Sequence, residues 1–488
     1  MVSPGSLASY RRKRDPAKTP EPVPADGPPP SAKKKAKAGP PTFVIQEHHA
    51  SSLHWDFRLE HDGVLASWAL PKGLPVSPDQ NHLAVQVEDH PLEYGSFSGT
   101  IPTGEYGAGT VSIWDHGTYE LEKWRPNEVM VVLHGRRAQG RYVLFPTKGK
   151  SWMIHRMDPA PAGFELLPAH MSPMLAVADH LPPDDGEWAY EFKWDGMRVL
   201  VWVDGGRIRL TSRNDNDVTR SFPELRGLGE SLGSHQALLD GEVVVFGPGG
   251  KPSFSQLQHR IHAESPSSVK RAEAEYPASL VIFDLLHLDG ASLLDRTYDE
   301  RRSALEGLGI GSPNWAVTPS FTDVTGQEIL SASIDAGMEG VVAKRRAGIY
   351  QPGRRSRDWI KVKNQRMQEV VIGGYTQGNG SRSSDFGALL LGLPSAGTKR
   401  LTFVGKVGTG FSEASRADLL ADLSRLHRAT SPFDASLPTA LVRGTTWVTP
   451  KLVGEVRFSE WTPDGHLRHP VWRGLRPDKS ANEVRRES

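Results

Sequence analysis

Glu191-Phe192-Lys193-Trp194-Asp195-Gly196-Met197-Arg198 is the stretch on which the reading of this chain turns. Just upstream, Trp188, Tyr190 and Phe192 alternate with Ala189, Glu191 and Lys193, the period of a half-buried strand whose last residue faces a site. Val199 to Val203 reads as a second strand, so Asp195-Gly196 predicts a turn that displays Lys193 between the two. A free lysine amine, with an ordinary pKa of ~10.4, is almost wholly protonated at neutral pH, so attack on phosphorus needs neighbours or a metal that favour the neutral amine. Arg198 is placed to clamp a phosphate. Taken alone, the pattern fits equally well an ordinary strand-turn-strand hairpin with a solvent-facing lysine.

The 488 residues suggest roughly three domains of ~150 residues each. There is no cysteine, which excludes disulfides and cysteine-ligated zinc. No apolar run approaches the ~18 residues of a membrane span and the first residues lack a hydrophobic signal core, so a soluble cytoplasmic protein is expected. The net charge of +1 conceals basic ends: residues 1–40 carry nine Lys/Arg against three Asp/Glu and residues 366–488 carry seventeen against twelve, around an acidic centre. With Arg11-Arg12-Lys13-Arg14, Lys33-Lys34-Lys35 and Pro28-Pro29-Pro30, residues 1–40 read as a disordered tail, either a non-specific holder of DNA phosphates or a solubilising linker.

Ordered sequence is expected from Phe43. In Leu53 to Leu59 the apolar Leu53, Trp55, Phe57 and Leu59 take one strand face and leave His54, Asp56 and Arg58 on the other. Asp62-Gly63 turns the chain into Val64 to Trp68 as a hairpin. If His48 joins His54 and Asp56, the mixed nitrogen and oxygen set suits Mn²⁺ or Zn²⁺, and Arg58 on the same face addresses a phosphate. Spacing alone fits a solvated strand face as well.

Further motifs follow: Trp68 to Gly73, Val87 to Tyr94, and Gly104-Glu105-Tyr106-Gly107-Ala108-Gly109. With the His48, His54 and Asp56 set, they resemble the 3′-phosphoesterase domain of bacterial ligase D, over about residues 41–160. The resemblance implies His48, His54 and Asp56 as metal ligands, with Mn²⁺ or another divalent ion, and Arg58, Lys72, His90 and Tyr94 at the phosphate. Two departures, Ser51-Ser52 before the second histidine and His82 where the family pattern has arginine, bear on the grip on a DNA strand more than on the metal. The glycine-rich stretch by itself reads as a turn.

The octapeptide around Lys193 resembles the adenylation motif of ATP-dependent DNA ligases, and further signatures arrive in that family's order. Ser212-Arg213-Asn214 follows a hairpin; Leu239-Asp240-Gly241-Glu242 and Val281-Ile282-Phe283-Asp284-Leu285 read as buried strands. Thr297 and Glu300 predict a capping box opening a helix through Leu305. Met338 to Lys344 and Asp358 to Lys363 come next, and the spacing of Lys361 and Lys363 puts both on one strand face. Short strands with glycine turns from Gln368 (Val370 to Tyr375, Ala388 to Leu393, Leu401 to Val407, Trp447 to Val456) suggest a small barrel. Arg473-Gly474-Leu475-Arg476-Pro477-Asp478-Lys479 closes the series.

From the resemblance, Lys193 is the nucleophile that takes AMP from ATP. Glu191, Arg213, Glu242, Phe283, Lys361, Lys363, Arg476 and Lys479 bind the nucleotide, Phe283 by stacking on adenine, and Glu339 binds Mg²⁺ or Mn²⁺. The expected architecture is multidomain, β-rich α+β: a small β-barrel-like phosphoesterase domain (41–160), a linker (161–173), an ATP-grasp-like nucleotidyltransferase domain (174–367) and an OB-fold barrel (368–484). The polymerase domain of many ligase D relatives is not expected within it, and the missing cysteines argue against an NAD-dependent ligase. The implied partners are double-stranded DNA with nicks or ends, a Ku-like end-binding protein and a separate polymerase, at the bacterial nucleoid. The alternatives are an RNA ligase or GTP-using capping enzyme, which share the lysine motif, and a DNA-end scaffold with decayed sites.

Overall fold

The Asp195-Gly196 turn does not close a hairpin. In the computed structural model, which describes residues 7–24 and 39–487 apart from 248, 262, 264, 365, 379–384, 396 and 460, strand Trp188–Lys193 pairs with Gly340–Arg345 and Ser320–Phe321, while Met197–Asp204 pairs with Arg207–Ser212 and Ala237–Val245. The turn therefore carries the chain from a five-stranded sheet into a seven-stranded one, and Lys193 stands at the seam. Gly196 is required by close approach: a Cβ there would lie 2.2 Å from the Val243 carbonyl oxygen and 2.9 Å from Glu242 Cγ.

Burial on both faces of Met197–Asp204 explains why two sheets form. Val199, Val201 and Val203 face one core with Leu239, Ile282 and the helix residue Leu257. Leu200 and Trp202 face a second, with Met174, Tyr350 and Trp359, between the sheets. Each fully buried side chain of this kind contributes about 1.5–3 kcal/mol, so the run has no solvent face to offer. The predicted capping box is present, Thr297 and Glu300 satisfying each other's backbone N–H groups, and its helix runs Tyr298–Gly307. A second box, Thr325 and Glu328, starts Gly326–Asp335, whose Ile329 packs on Tyr190 and Val341 behind the lysine strand.

The N-terminal domain is a nine-stranded sheet in which Thr42–His49 pairs on both sides, with Leu53–His61 and with Gly109–Arg125, and so closes into a barrel. Asp62 (φ 50°) and Gly63 (φ 80°) make the expected tight hairpin from Leu53–His61 to Val64–Leu70. The C-terminal strands form a seven-stranded sheet around Val370, Leu390, Val404 and Trp472. Trp447 to Val456 is two strands, Thr445–Val448 and Val453–Arg457, because one pairs with the end of Met367–Gln377 and the other with its start. The helix Glu413–Arg425, capped by Ser412, was not expected from the strand pattern.

The expectation of an unfolded tail over residues 1–40 fails for 7–24. Ala8–Arg12 is helical, Tyr10 is fully buried with Leu65 and Tyr94 of the barrel, and Arg14 and Glu21 pair at 2.8 Å. Composition misled because one aromatic and a few paired charges suffice when a preformed barrel supplies the apolar partner. Lys33-Lys34-Lys35 and Pro28-Pro29-Pro30 lie outside the described residues. Residues 159–173 lack regular structure but lie along the middle domain, Pro168 O accepting from Trp202 Nε1 at 2.6 Å. Among the described residues no helix is long and apolar enough to cross a membrane.

Candidate active sites

The face of Leu53–His61 that carries His54, Asp56 and Arg58 is not solvated: Asp56 is 6% and Arg58 2% exposed. The antiparallel register puts His48 opposite His54. His48 Nδ1 lies 3.6 Å and His54 Nε2 3.8 Å from the Asp56 carboxylate, and one potential ligand atom from each of the three falls within 4.8 Å of the others. The other ring nitrogens are committed: His48 Nε2 donates to Gly107 O (2.9 Å) and His54 Nδ1 to Ser52 O (3.0 Å). These bonds fix the tautomers that leave Nδ1 of His48 and Nε2 of His54 as lone pairs toward Asp56, the arrangement a divalent metal requires. The glycine-rich loop thus orients a ligand through its carbonyl.

Arg58 organises the remainder. Its guanidinium donates to Asp56 (2.9 Å), Gln46 Oε1 (2.7 Å), Ser67 Oγ (2.9 Å) and His90 Nδ1 (2.9 Å), and it lies 4.7 Å from the centre of the Tyr94 ring. Burial opposes ionisation of Asp56, but the Arg58 guanidinium beside it holds its carboxyl well below the ordinary range. Burial first, then Arg58 and Arg14, push His90 well below the usual imidazole value, so it is neutral at physiological pH. Lys72 is not drawn into this cluster; its partner is Asp204 of the second domain, at 2.5 Å. Ser51 and Ser52 are exposed, and His82 Nδ1 donates to Gly73 O (2.9 Å).

The N-terminal arm supplies residues that composition hid. Arg14 Nη1 pairs with Glu88 (3.2 Å), its Nη2 lies 3.4 Å from His90 Nε2, and Lys13 reaches Glu88 at 2.8 Å. Tyr10 packs edge-on to His90, ring centres 5.0 Å apart. Asp15 and Glu21 stand beside so basic a run that the composition of the stretch is that of a solvated tail.

The second site is a cleft of about 520 Å³ between the two sheets of the middle domain and the C-terminal barrel. Lys193, Arg198, Arg213, Glu242, Phe283, Glu339, Lys361, Lys363, Arg476 and Lys479 all line it, as does Glu191. Glu339 bonds to Lys193 and lies 3.2 Å from Lys363. Burial would raise its carboxyl, but these two lysines overcome that and hold it well below the ordinary range. Among the described residues Glu242 has no such close partner, and burial pushes it up to about 7. Asp195 rises to about 6, from burial and from Glu339 and Glu455 nearby, although Arg473 of the barrel pairs with it at 2.9 Å.

Two predicted residues are held by neighbours the sequence did not reveal. Arg198 makes a two-pronged bond to fully buried Asp240 (2.9 and 2.6 Å) and lies 5.2 Å from the Phe283 ring centre, so its guanidinium supports the wall of the cleft. Glu191 is buried against Lys344 (2.9 Å) and Tyr298 Oη (2.7 Å). Lys344 in turn donates to Phe283 O (2.8 Å) and sits 4.4 Å from the Trp359 ring. Its place on Gly340–Arg345, a spacing of two from Val342, which pairs with Glu191, puts it on the face that Glu191 shares. The barrel closes the cleft: Arg476 is braced by Asp478 (2.9 and 2.8 Å), Lys479 by Glu369, and Asn214 Nδ2 bonds Asp478 O at 2.7 Å.

Comparison with known proteins matches this division. Residues 46–146 match the model of the DNA Ligase D 3′-phosphoesterase domain, 173–363 that of the ATP dependent DNA ligase domain, and 382–479 that of the ATP dependent DNA ligase C terminal region. The chain is 48% identical over 490 residues to the multifunctional non-homologous end joining protein LigD of Mycobacterium bovis, covering 99% of this chain and 61% of that protein. It is 37% identical over 541 residues to LigD of Pseudomonas aeruginosa, covering 99% and 62%. The chain therefore spans about three fifths of the length of these curated relatives. A solved structure of mycobacterial DNA ligase D complexed with ATP and MES is 44% identical, with a TM-score of 0.50, over 65% of this chain and 98% of that one.

Proposed function

We propose that this chain, which belongs to the ligase D family of ATP-dependent DNA ligases with a 3′-phosphoesterase domain, heals 3′ ends at the barrel site and seals strands at the cleft. The observation that carries the reading is Lys193 at the seam of two sheets, in one cleft with Lys361, Lys363 and Arg476. In the first step the Lys193 amine attacks the α-phosphorus of ATP, an N–P bond forms, the α–β P–O bond breaks and pyrophosphate leaves. AMP then passes to a DNA 5′-phosphate, and the adjoining 3′-hydroxyl displaces it.

The chain's own groups supply position and charge. Glu339 orients Lys193; Lys361 and Lys363, on one strand face, meet the α-phosphate oxygens; Arg213 and Glu242 flank the ribose and Phe283 the adenine. Arg476 and Lys479 approach the leaving pyrophosphate, whose charge grows in the transition state. At the N-terminal barrel, Arg58 and neutral His90 hold the scissile phosphate beside His48, His54 and Asp56, with Tyr94 buried beneath Arg58. Those three residues would hold Mn²⁺ or another divalent ion, and Glu339 would hold Mg²⁺ or Mn²⁺. When bound, these ions supply Lewis acidity at phosphorus.

The substrates are double-stranded DNA nicks or ends at the nucleoid, with a Ku-like end-binding protein and a separate polymerase as partners in the end joining for which the relatives are named. The test is sealing of a nicked duplex with ATP and with GTP in parallel. Sealing by the parent with ATP, lost in Lys193→Ala, is expected; sealing that survives the substitution overturns the reading.

A further inference from the structure

One side chain in the cleft has the charge of a phosphate. Glu487 accepts from Lys361 Nζ at 2.8 Å and lies 3.2 Å from Lys363 Nζ, so a single carboxylate spans both lysines of that strand face. All three side chains are largely enclosed, 16%, 15% and 12% exposed. The segment that delivers it is fastened to the barrel. Val484 is fully buried in the barrel core. Gln368, itself fully buried, donates from Nε2 to Arg485 O (2.8 Å) and accepts from Glu487 N at Oε1 (2.8 Å). Trp461 Nε1 donates to Glu487 O (3.2 Å), and the Arg486 guanidinium lies over the Trp461 ring at 4.3 Å.

We infer that Glu487 is an internal anion that occupies Lys361 and Lys363 until a nucleotide phosphate displaces it, so that the strap of residues 480–487 sets the affinity for ATP. This rests on the assignment of the cleft to ATP and adds what competes there. Among the described residues Lys361 has no other carboxylate partner, whereas Lys363 keeps Glu339 at 3.2 Å; a carboxylate with two acceptor oxygens bridges the pair and relieves their repulsion, as two oxygens of an α-phosphate would. The two anions need the same donors, and one must leave. If the strap is closed in about nine molecules of ten, the apparent affinity for ATP is lowered roughly tenfold. Closure of the barrel and occupancy by ATP therefore differ in one local event, withdrawal of the Glu487 carboxylate, which need not disturb the buried anchor at Val484.

The experiment measures Lys193 adenylate formation in a single turnover against ATP concentration, for the full chain, Glu487→Gln and Glu487→Ala, each checked for an unchanged melting transition. Both variants should reach half-maximal rate at roughly tenfold less ATP. In a Lys361→Ala, Lys363→Ala background, where the strap has nothing to occupy and adenylation is itself impaired, ATP binding measured at equilibrium should show no gain from Glu487→Gln. Variants that need as much ATP as the parent, or more, overturn the inference, as does an equal gain in the lysine-free background. A parent that forms no adenylate at any ATP concentration overturns the assignment of the cleft instead.

Discussion

Replacing Asp240 by Asn should unlock the cleft from beneath. Asp240 is fully buried and accepts from Arg198 Nε and Nη2 at 2.9 and 2.6 Å and from Tyr350 Oη at 2.6 Å. Tyr350 Oη accepts in turn from Met174 N at 2.9 Å, so one carboxylate ties the seven-stranded sheet to the start of the domain. Asparagine keeps the shape but turns an NH₂ group toward one set of donors and leaves the Arg198 charge uncompensated. Removing one partner of such an enclosed pair costs ~3–5 kcal/mol. At about 2–4 °C per kcal/mol for a domain of this size, the transition of the middle domain should fall by roughly 6–20 °C. Because several domains unfold, the assay is a scanning melt that follows the transition shifted by ATP. Arg198→Met combined with Asp240→Asn should restore part of the loss, since no charge is then left unpaired. A fall of less than about 1 kcal/mol, or a double variant worse than the sum of the singles, would refute the reasoning.

His54→Ala or Asp56→Ala should abolish metal-dependent 3′-end processing and leave adenylation intact, checked on a 3′-phosphate primer and with labelled ATP; processing that survives both sinks the metal site. Arg476→Ala should slow Lys193 adenylation ~10²- to 10³-fold and affect sealing of a pre-adenylated nick much less; equal loss in both assays assigns Arg476 a general role. Glu242, pushed up to about 7 by burial, binds a proton more tightly in the folded chain than in the unfolded one. Its contribution to stability is thus complete below the ordinary carboxylate range and lost as pH rises through about 7. Glu242→Gln should therefore melt higher than the parent near pH ~8, by at most roughly 3 kcal/mol, with the gap closing toward pH ~4. A gap that does not change with pH contradicts this origin.

Periodicity made the strands around Lys193 legible, because a residue's neighbours on its own strand face are set by a spacing of two. It could not say that the two strands enter different sheets, since Leu200 and Trp202 look like any alternating pair until Tyr350 and Trp359 cover them. Likewise His54, Asp56 and Arg58 shared a face on paper, but their burial depends on Gln46, Ser67 and His90 brought in from elsewhere in the barrel. The arm at Tyr10 and the carboxylate at Glu487 escaped for one reason: each sits in a charged stretch whose composition describes a solvated chain, and only a long-range partner turns it into structure.

The central claim, that Lys193 is the residue that carries AMP, is tested most directly by intact-protein and peptide mass spectrometry after incubation with ATP and a divalent metal. The account predicts one added AMP, on the peptide containing Lys193, and none on Lys193→Ala. An unmodified parent, or AMP on any other residue, would contradict it.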